Sequence, residues 1–140
     1  MILSDRDILE RIKKGDLVVS PFEKKNVQPS TIDVRLSPIV RVFNNFEIGV
    51  IDLKEREDIS HEVRISDRGL IVHPNEFLLG STIEEFTIPF DLAGKIEGRS
   101  SIGRLGLIVH ATAGYIDPGF HGQITFEISN ISKTPIRIYP

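Results

Sequence analysis

The sequence predicts a mainly β fold, a sandwich or barrel of short strands preceded by one short helix. Apolar and polar residues alternate over many short segments, as in strands with one buried face. Glycine and proline separate these segments, as at Pro118-Gly119. The chain has 140 residues, of which 40% are hydrophobic. That length and composition suit one hydrophobic core, so a single domain over residues 1–140 is expected.

The helix is predicted at the N-terminus. Ser4 is a suitable N-cap, Asp7 places an acidic residue in the first turn, and Gly15 is a suitable C-terminal stop. One helical face carries three apolar residues: Ile8, Leu9 and Ile12.

Strands are predicted from the alternation of apolar and polar residues and from turn signals between the segments. They cover residues 31–36, 39–43, 48–53, 76–82, 92–97, 107–113, 123–129 and 136–139. Asn44-Asn45 is a turn signal between the second and third of these segments. Residues 54–68 mix charges of both signs, which indicates a solvated loop or an edge hairpin.

The composition excludes several functional classes. A net charge of −3 does not suit a protein that coats nucleic acid, because such proteins carry a basic surface. The absence of cysteine excludes disulfides and thiolate metal sites. No apolar run is long enough to span a membrane, and the N-terminus lacks signal-peptide features. A cytoplasmic protein is therefore expected.

Residues 97–106, E-G-R-S-S-I-G-R-L-G, concentrate groups that bind anions. Arg99 and Arg104 can donate charge-assisted hydrogen bonds to phosphate oxygens. If Ser100 and Ser101 begin a short helical turn, their N–H groups also suit an anion. A polar surface turn explains the same residues equally well, so this motif alone leaves the two interpretations open.

Residues 110–120, H-A-T-A-G-Y-I-D-P-G-F, contain a second group of candidates. Asp117 before Pro-Gly is either an ordinary turn aspartate or a fixed carboxylate beside the Phe120 ring, which can pack on a sugar. His110 is interpreted as a structural histidine with satisfied hydrogen bonds.

Residues 123–130 alternate cleanly, so Thr125 and Glu127 share the polar face of a strand. Glu127 is either a solvated carboxylate or, if that face lines a subunit interface, a partly desolvated base with an adjusted pKa.

Together these segments resemble the dCTP deaminase family, whose wider kin are the trimeric dUTPases. The resemblance is carried by G-R-S-S-I-G-R, H-A-T-A-G-Y-I-D-P-G-F and G-Q-I-T-F-E-I-S-N, and also by M-I-L-S-D-R-D-I and Q-P-S-T-I-D-V-R-L. It implies a dUTPase-like distorted β-barrel or jelly roll that assembles as a homotrimer with active sites between subunits. It also implies hydrolytic deamination of dCTP to dUTP, in the synthesis of dUMP and dTTP.

The resemblance assigns a role to each matching residue. Glu127 corresponds to the catalytic glutamate, which takes a proton from the attacking water and returns it to the departing ammonia. Ser100 and Arg104 correspond to residues that order this water and hold the nucleotide, and Asp117 would contact the 3′-hydroxyl. The other implied nucleotide contacts are Arg99, Ser101, Ile102 and Gly103 for the triphosphate, Ala113, Phe120 on the sugar, and Thr125 and Phe126 at the base edge.

The resemblance implies no zinc, and the residues agree with this. Zinc deaminases use H-x-E with P-C-x-x-C, whereas this chain has no cysteine and its histidines show no metal-ligand spacing. Mg²⁺ is expected on the phosphates of the substrate. Inhibition by dTTP is also implied.

A second reaction is predicted from Gly114-Tyr115. Family members that only deaminate carry His-Arg at these positions, whereas T-A-G-[WF]-I-D is typical of members that also cleave dUTP to dUMP and diphosphate. Asp117 would then help to position water at the α-phosphate.

Several alternatives remain open: a dCTP deaminase alone, a pure dUTPase, and a non-catalytic nucleotide-binding trimeric β module. Glu127 argues against a pure dUTPase, which usually has an apolar residue there. Family members normally continue with a G-x-x-I-G-Q-L strand and a tail over the nucleotide, so a truncated sequence is the expectation.

Overall fold

Strands dominate the computed structural model, which describes residues 1–43, 49–55 and 58–140. In chain order they are β1 Val18–Ser20, β2 Ile39–Phe43, β3 Ser60–Arg64, β4 Leu70–Val72, β5 Phe77–Thr87, β6 Gly94–Lys95, β7 Leu107–Ile108, β8 Tyr115–Ile116, β9 His121–Asn130 and β10 Ile136–Ile138. The helices are α1 Asp5–Lys14 and the single turn α2 Ser100–Gly103, and a 3₁₀ turn covers Lys24–Asn26. The predicted mainly β class is confirmed.

Helix α1 begins and ends where the sequence predicts. The Ser4 hydroxyl accepts a hydrogen bond from the N–H of Asp7, and the Asp7 carboxylate accepts one from the N–H of Ser4, which completes a capping box. Gly15 ends the helix in the left-handed region, at φ 85°. Ile8 is buried, and Ile12 packs partly buried against the core.

The strands of the described residues form one large antiparallel sheet and two small ones. The large sheet has the order β3-β2-β5-β9-β7, with β1 paired to the far end of β5. The two-stranded sheets are β4 with β10 and β6 with β8. Strand β3 lies at the sheet edge, which agrees with the edge hairpin predicted within residues 54–68.

Strand β5 alternates strictly between the buried and the outer side, so alternate residues point into the core. Leu78 is fully buried, as are Thr82 and Glu84. A bulge between Ser81 and Glu85 shifts the register of β5 against β9. There the Thr82 hydroxyl accepts a hydrogen bond from the N–H of Ile124 at 2.9 Å, so the bulge leaves both groups paired.

Four strand predictions need correction. The strand predicted over residues 92–97 is confined to Gly94–Lys95. Residues 31–36 form only isolated bridges at Ile32 and Leu36. Between them the N–H of Asp33 donates to the carbonyl of Asn26, and the N–H of Arg35 donates to the Glu84 carboxylate, so no continuous ladder forms. Residues 49–53 form no strand, and Ile48 and the predicted Asn44-Asn45 turn lie outside the described residues. The predicted strand over residues 107–113 ends at Ile108, and residues 111–113 turn to meet a carboxylate instead.

Candidate active site

Helix α2 confirms the turn predicted at Ser100 and Ser101. Arg99 is its N-cap residue, with extended backbone geometry, and the helix lies between β6 and β7. The four helical residues, and Arg99 and Arg104 on either side, are all exposed. Gly106, at φ 94°, ends this segment, and its carbonyl accepts a hydrogen bond from the N–H of Ile131 at 2.9 Å. The groups predicted to bind an anion thus lie on the surface of a short, anchored turn.

Arg99 forms an ion pair with Asp33, which lies far away in the sequence. The Nη2 group of Arg99 donates to Oδ2 of Asp33. Oδ2 of Asp33 also accepts a hydrogen bond from the Gln28 side-chain amide at 3.3 Å. The Q-P-S-T-I-D-V-R-L segment therefore reaches the G-R-S-S turn.

Two residues beyond Asp33, Arg35 fixes the same segment to the core. Its N–H and its Nε donate to the two carboxylate oxygens of Glu84, at 3.0 and 2.8 Å. Glu84 is only 1% exposed, so its charge needs this cation and these hydrogen bonds. The Arg35 guanidinium also pairs with Glu23 at 3.3 Å.

Glu127 lies half-buried on β9 and receives hydrogen bonds from the loop after β7. Its Oε2 accepts from the backbone N–H groups of Ala111 at 2.7 Å, Thr112 at 2.8 Å and Ala113 at 3.4 Å. The Thr112 hydroxyl lies 3.5 Å from Oε1. The carboxylate and residues 111–113 of the second motif therefore form one unit.

These hydrogen bonds lower the pKa of Glu127 below its ordinary value. The N–H of Thr112 contributes most, followed by that of Ala111, whereas burial opposes them. In the single chain, hydrogen bonding therefore outweighs burial. The partly desolvated base was expected for a subunit interface and stays a prediction. The Glu127 carboxylate is ionised at neutral pH and is able to accept a proton.

Asp117 lies in the tight turn between β8 and β9. Its carbonyl accepts a hydrogen bond from the N–H of Phe120 at 3.1 Å, so the predicted D-P-G turn is present. Gly119, at φ 80°, lies under the Phe90 ring, with Cε1 only 2.6 Å from the place a β-carbon would take. Asp117 itself is exposed, and Phe120 is half-buried.

His110 does not have the satisfied hydrogen bonds that the sequence interpretation expected. Its Nδ1 is buried without a hydrogen-bond partner among the described residues. The ring packs on Gly114, whose hypothetical β-carbon would lie 3.2 Å from Cδ2 of the histidine.

A groove of about 650 Å³ lies beside the G-R-S-S turn. The residues that line it include Asp33, Arg99 and Ile102 as well as Phe126 and Ile128 of β9. Because side chains alternate along β9, Glu127 points to the other face of the sheet. The groove therefore contains the cation of the first motif but not the carboxylate of the third.

The structure thus places the predicted residues in separate groups rather than in one site. Glu127 lies with Ala113, and Arg99 lies in the groove with Ile102 and Phe126. Thr125 shares the outer face of β9 with Glu127, and Ser100, Ser101, Gly103 and Arg104 stay on the exposed turn.

The sequence interpretation missed Asp33 and the backbone donors of residues 111–113. A carboxylate at an inward position of an alternating strand, as at Glu84, was the available signal that a buried charge needs a cationic partner such as Arg35.

The described residues contain no cluster of three or more His, Asp or Glu side chains that could hold a metal ion. A divalent cation that arrives on substrate phosphates needs few protein ligands, so the residues present are compatible with Mg²⁺ bound in that way. Within the described ranges, no helix has the length and apolar character required to cross a bilayer.

The fold resembles that of a known nucleotide deaminase. The crystal structure of 2'-deoxycytidine 5'-triphosphate deaminase from Agrobacterium tumefaciens superposes with a TM-score of 0.75 over 98% of this chain and 42% of that one. Since the two sequences are 23% identical, this likeness concerns the fold alone. It agrees with the fold expected from the sequence.

The sequence comparisons define the family. The model for dCTP deaminase-like proteins matches residues 2–140. The chain is 58% identical to the "dCTP deaminase, dUMP-forming" of Corynebacterium kroppenstedtii and 51% identical to that of Mycobacterium marinum. These matches cover the whole chain and 76% and 75% of the two relatives. The chain belongs to the dCTP deaminase-like family.

Proposed function

We propose that this protein deaminates dCTP hydrolytically and converts the product to dUMP and diphosphate. The observation that carries the proposal is the Glu127 carboxylate, which the N–H groups of residues 111–113 hold in place and keep ionised. The relatives named as dUMP-forming dCTP deaminases support the same pair of reactions.

Deamination follows from one acid–base group. As water attacks C4 of the cytosine, Glu127 takes one of its protons and a tetrahedral intermediate forms. The protonated carboxyl then delivers the proton to the exocyclic nitrogen, the C4–N4 bond breaks, and ammonia leaves. The carboxylate is regenerated, and transfer of the remaining C4 hydroxyl proton to N3 gives uracil.

Arg99 and Arg104 would bind the triphosphate, because guanidinium groups donate several hydrogen bonds to phosphate oxygens. Ser100 would help to order the attacking water. Asp117 would contact the 3′-hydroxyl and, in the second reaction, position water at the α-phosphorus, with diphosphate leaving. Mg²⁺ on the phosphates would neutralise charge that develops there.

Gly114 favours the two-reaction interpretation over deamination alone. It is buried, and a β-carbon at this position would lie 3.2 Å from the His110 ring. A larger residue at this position would therefore require the His110 ring to shift, so glycine keeps the loop that leads to Asp117 close to His110.

Glu127 and the groove lie on opposite faces of β9, so we also propose that a homotrimer completes each site between subunits. Inhibition by dTTP and a cytoplasmic location remain predictions from the family resemblance.

The test is incubation with dCTP and Mg²⁺, with ammonia assayed and nucleotides separated by chromatography. We expect ammonia and dUMP in equal amounts, without accumulation of dUTP. Accumulation of dUTP would restrict the protein to deamination, and ammonia release equal to that of a protein-free blank would reject the enzyme function. Removal of Mg²⁺ by a chelator is expected to suppress dUMP formation.

Glu127→Gln keeps the size of the side chain but removes the base, so deamination is expected to fall about 100- to 10,000-fold. Binding of dCTP should persist, as measured by calorimetry. Glu10→Gln, an exposed residue of α1, is the matched control and should keep full activity. Unchanged ammonia release by Glu127→Gln would contradict the role given to Glu127.

A further inference from the structure

We propose that Asp33 is a positioning residue that orients the Arg99 guanidinium toward the triphosphate; the inference rests on the function proposed above. Asp33 and Arg99 form an ion pair and line the same groove, although 66 positions separate them in the chain. Nothing in the site as proposed above uses Asp33.

Arg99 needs such a partner because little else restrains its side chain. It precedes a single helical turn, makes no side-chain cap hydrogen bond there, and is 66% exposed. A long side chain in that setting samples many rotamers, and ordering it when a ligand binds costs free energy. An acceptor present before binding reduces that cost.

Asp33 can act as a fixed acceptor because its own backbone is anchored. Its N–H donates to the carbonyl of Asn26 at 2.8 Å, and Val27 and Ile32 form an antiparallel bridge. The Gln28 side-chain amide donates to the same carboxylate oxygen that receives Arg99. These contacts hold the carboxylate in one orientation.

The ion pair between Arg35 and the buried Glu84 anchors the next part of the segment. The Arg35 carbonyl accepts from the N–H of Ile83 at 2.9 Å, and the N–H of Ser37 donates to the carbonyl of Ser81 at 2.7 Å. Asp33 thus projects from a segment attached to β5, while Arg99 projects from a surface turn.

The geometry leaves Arg99 able to bind phosphate. A guanidinium has five N–H donors, and Asp33 engages Nη2, so donors on the other nitrogens stay available. Arg99 is exposed and Asp33 is half-buried, and ion pairs open to solvent contribute little to stability. Its loss should therefore appear in substrate binding rather than in folding.

The experiment is a double-mutant cycle on the full chain, with Asp33→Asn, Arg99→Ala and the double variant. The KM and kcat for dCTP, the calorimetric Kd for dCTP and the thermal midpoint are measured for each protein. Asp67→Asn, an exposed aspartate in the turn before β4, is the matched control.

We expect Asp33→Asn to raise KM and Kd about three- to tenfold, because the flexible Arg99 side chain must then be ordered when dCTP binds. The kcat and the thermal midpoint should change little. In the Arg99→Ala background, the same substitution should have no further effect on KM.

Unchanged KM and Kd for Asp33→Asn, in a protein whose wild type turns over dCTP, would overturn the inference but leave the proposed function intact. Equal losses in both backgrounds, or a lower thermal midpoint, would also overturn it, because Asp33 would then act structurally. A wild type that neither binds nor converts dCTP would reject the proposed function and the inference with it.

Discussion

At the scale of single residues, hydrogen bonding determines the chemistry of Glu127. Three consecutive backbone N–H groups converge on one carboxylate oxygen, and each favours the charged form. A carboxylate on the polar face of a strand would otherwise be solvated and ordinary. The loop of residues 111–113 therefore gives Glu127 a defined position and a fixed charge.

The lowered pKa of Glu127 predicts the pH dependence of deamination. Its carboxylate is the active form, so activity is lost only as the pH falls below the lowered pKa. We expect kcat/KM to hold through mildly acidic pH, with an acid limb below the ordinary glutamate value of 4.5. An acid limb above pH 5 that Glu127→Gln removes would contradict this prediction.

Gly106 is the residue whose replacement should most disturb the G-R-S-S segment. It lies at φ +94°, and a β-carbon would lie 2.7 Å from Cβ and 3.0 Å from the backbone nitrogen of Ser132. Gly106→Ala should therefore reduce the free energy of unfolding by about 1–3 kcal/mol, measured by urea denaturation. Gly103→Ala is the control for stability, because its β-carbon would meet nothing within 4 Å; an equal loss in both variants would reject the argument.

At the scale of secondary-structure elements, Arg11 connects α1 to the rest of the chain. Its Nε donates to Asp16 at 2.9 Å, and its two terminal nitrogens donate to Asp91 at 3.1 and 2.7 Å. The Arg11 guanidinium lowers the pKa of Asp16 from 3.8 to about 2, helped by Lys14. The two aspartates thus fix the end of α1 against the segment before β6.

This network predicts a pH-dependent contribution to stability. Since the pKa of Asp16 is lower in the folded chain, its contribution is fully present above pH 3.8 and is lost as the pH falls through about 2. The thermal midpoint of Asp16→Asn should lie below that of the wild type at neutral pH, and the difference should shrink over this acidic range. A difference in thermal midpoint that does not change with pH would show that packing, rather than charge, attaches α1 to the rest of the chain.

At the scale of the whole molecule, one chain separates two groups that the proposed reaction needs together. The Arg99 side chain lines the groove on one side of β9, and Glu127 occupies the opposite face. Alternation along β9 places Glu127 on the face opposite Phe126 and Ile128, which line that groove with Arg99. An assembly in which one subunit offers its groove and another its Glu127 would bring the two groups together.

Mixed assemblies test this arrangement. Co-expression of Arg99→Ala and Glu127→Gln chains should restore about one quarter of the wild-type activity, since random mixing gives some sites an intact group from each of two subunits. Glu127→Gln alone should be nearly inactive, and Arg99→Ala alone should be impaired at dCTP concentrations below its raised KM. Light scattering should give the mass of a trimer. No recovery in mixed assemblies of the correct mass would mean that both groups act from the same subunit.

Local chemistry explains how much could be predicted from the sequence. The capping box of Ser4 and Asp7, the glycine after α1 and the alternation of β9 depend on neighbours within a few residues. Strand β2, predicted over residues 39–43, matches for the same reason. The family motifs also depend on local order, so the order of residues along the chain suffices to select the G-R-S-S turn and Glu127 as candidates.

The sequence by itself determined the mainly β class, the N-terminal helix, the family and the identity of the candidate residues, because each depends on patterns along the chain. Only the tertiary structure decided which partner each candidate has. Asp33 meets Arg99, Glu84 meets Arg35, and the N–H groups of residues 111–113 meet Glu127 across long sequence separations. Such pairs depend on how β5, β9 and their neighbours come together, and no local pattern encodes that geometry.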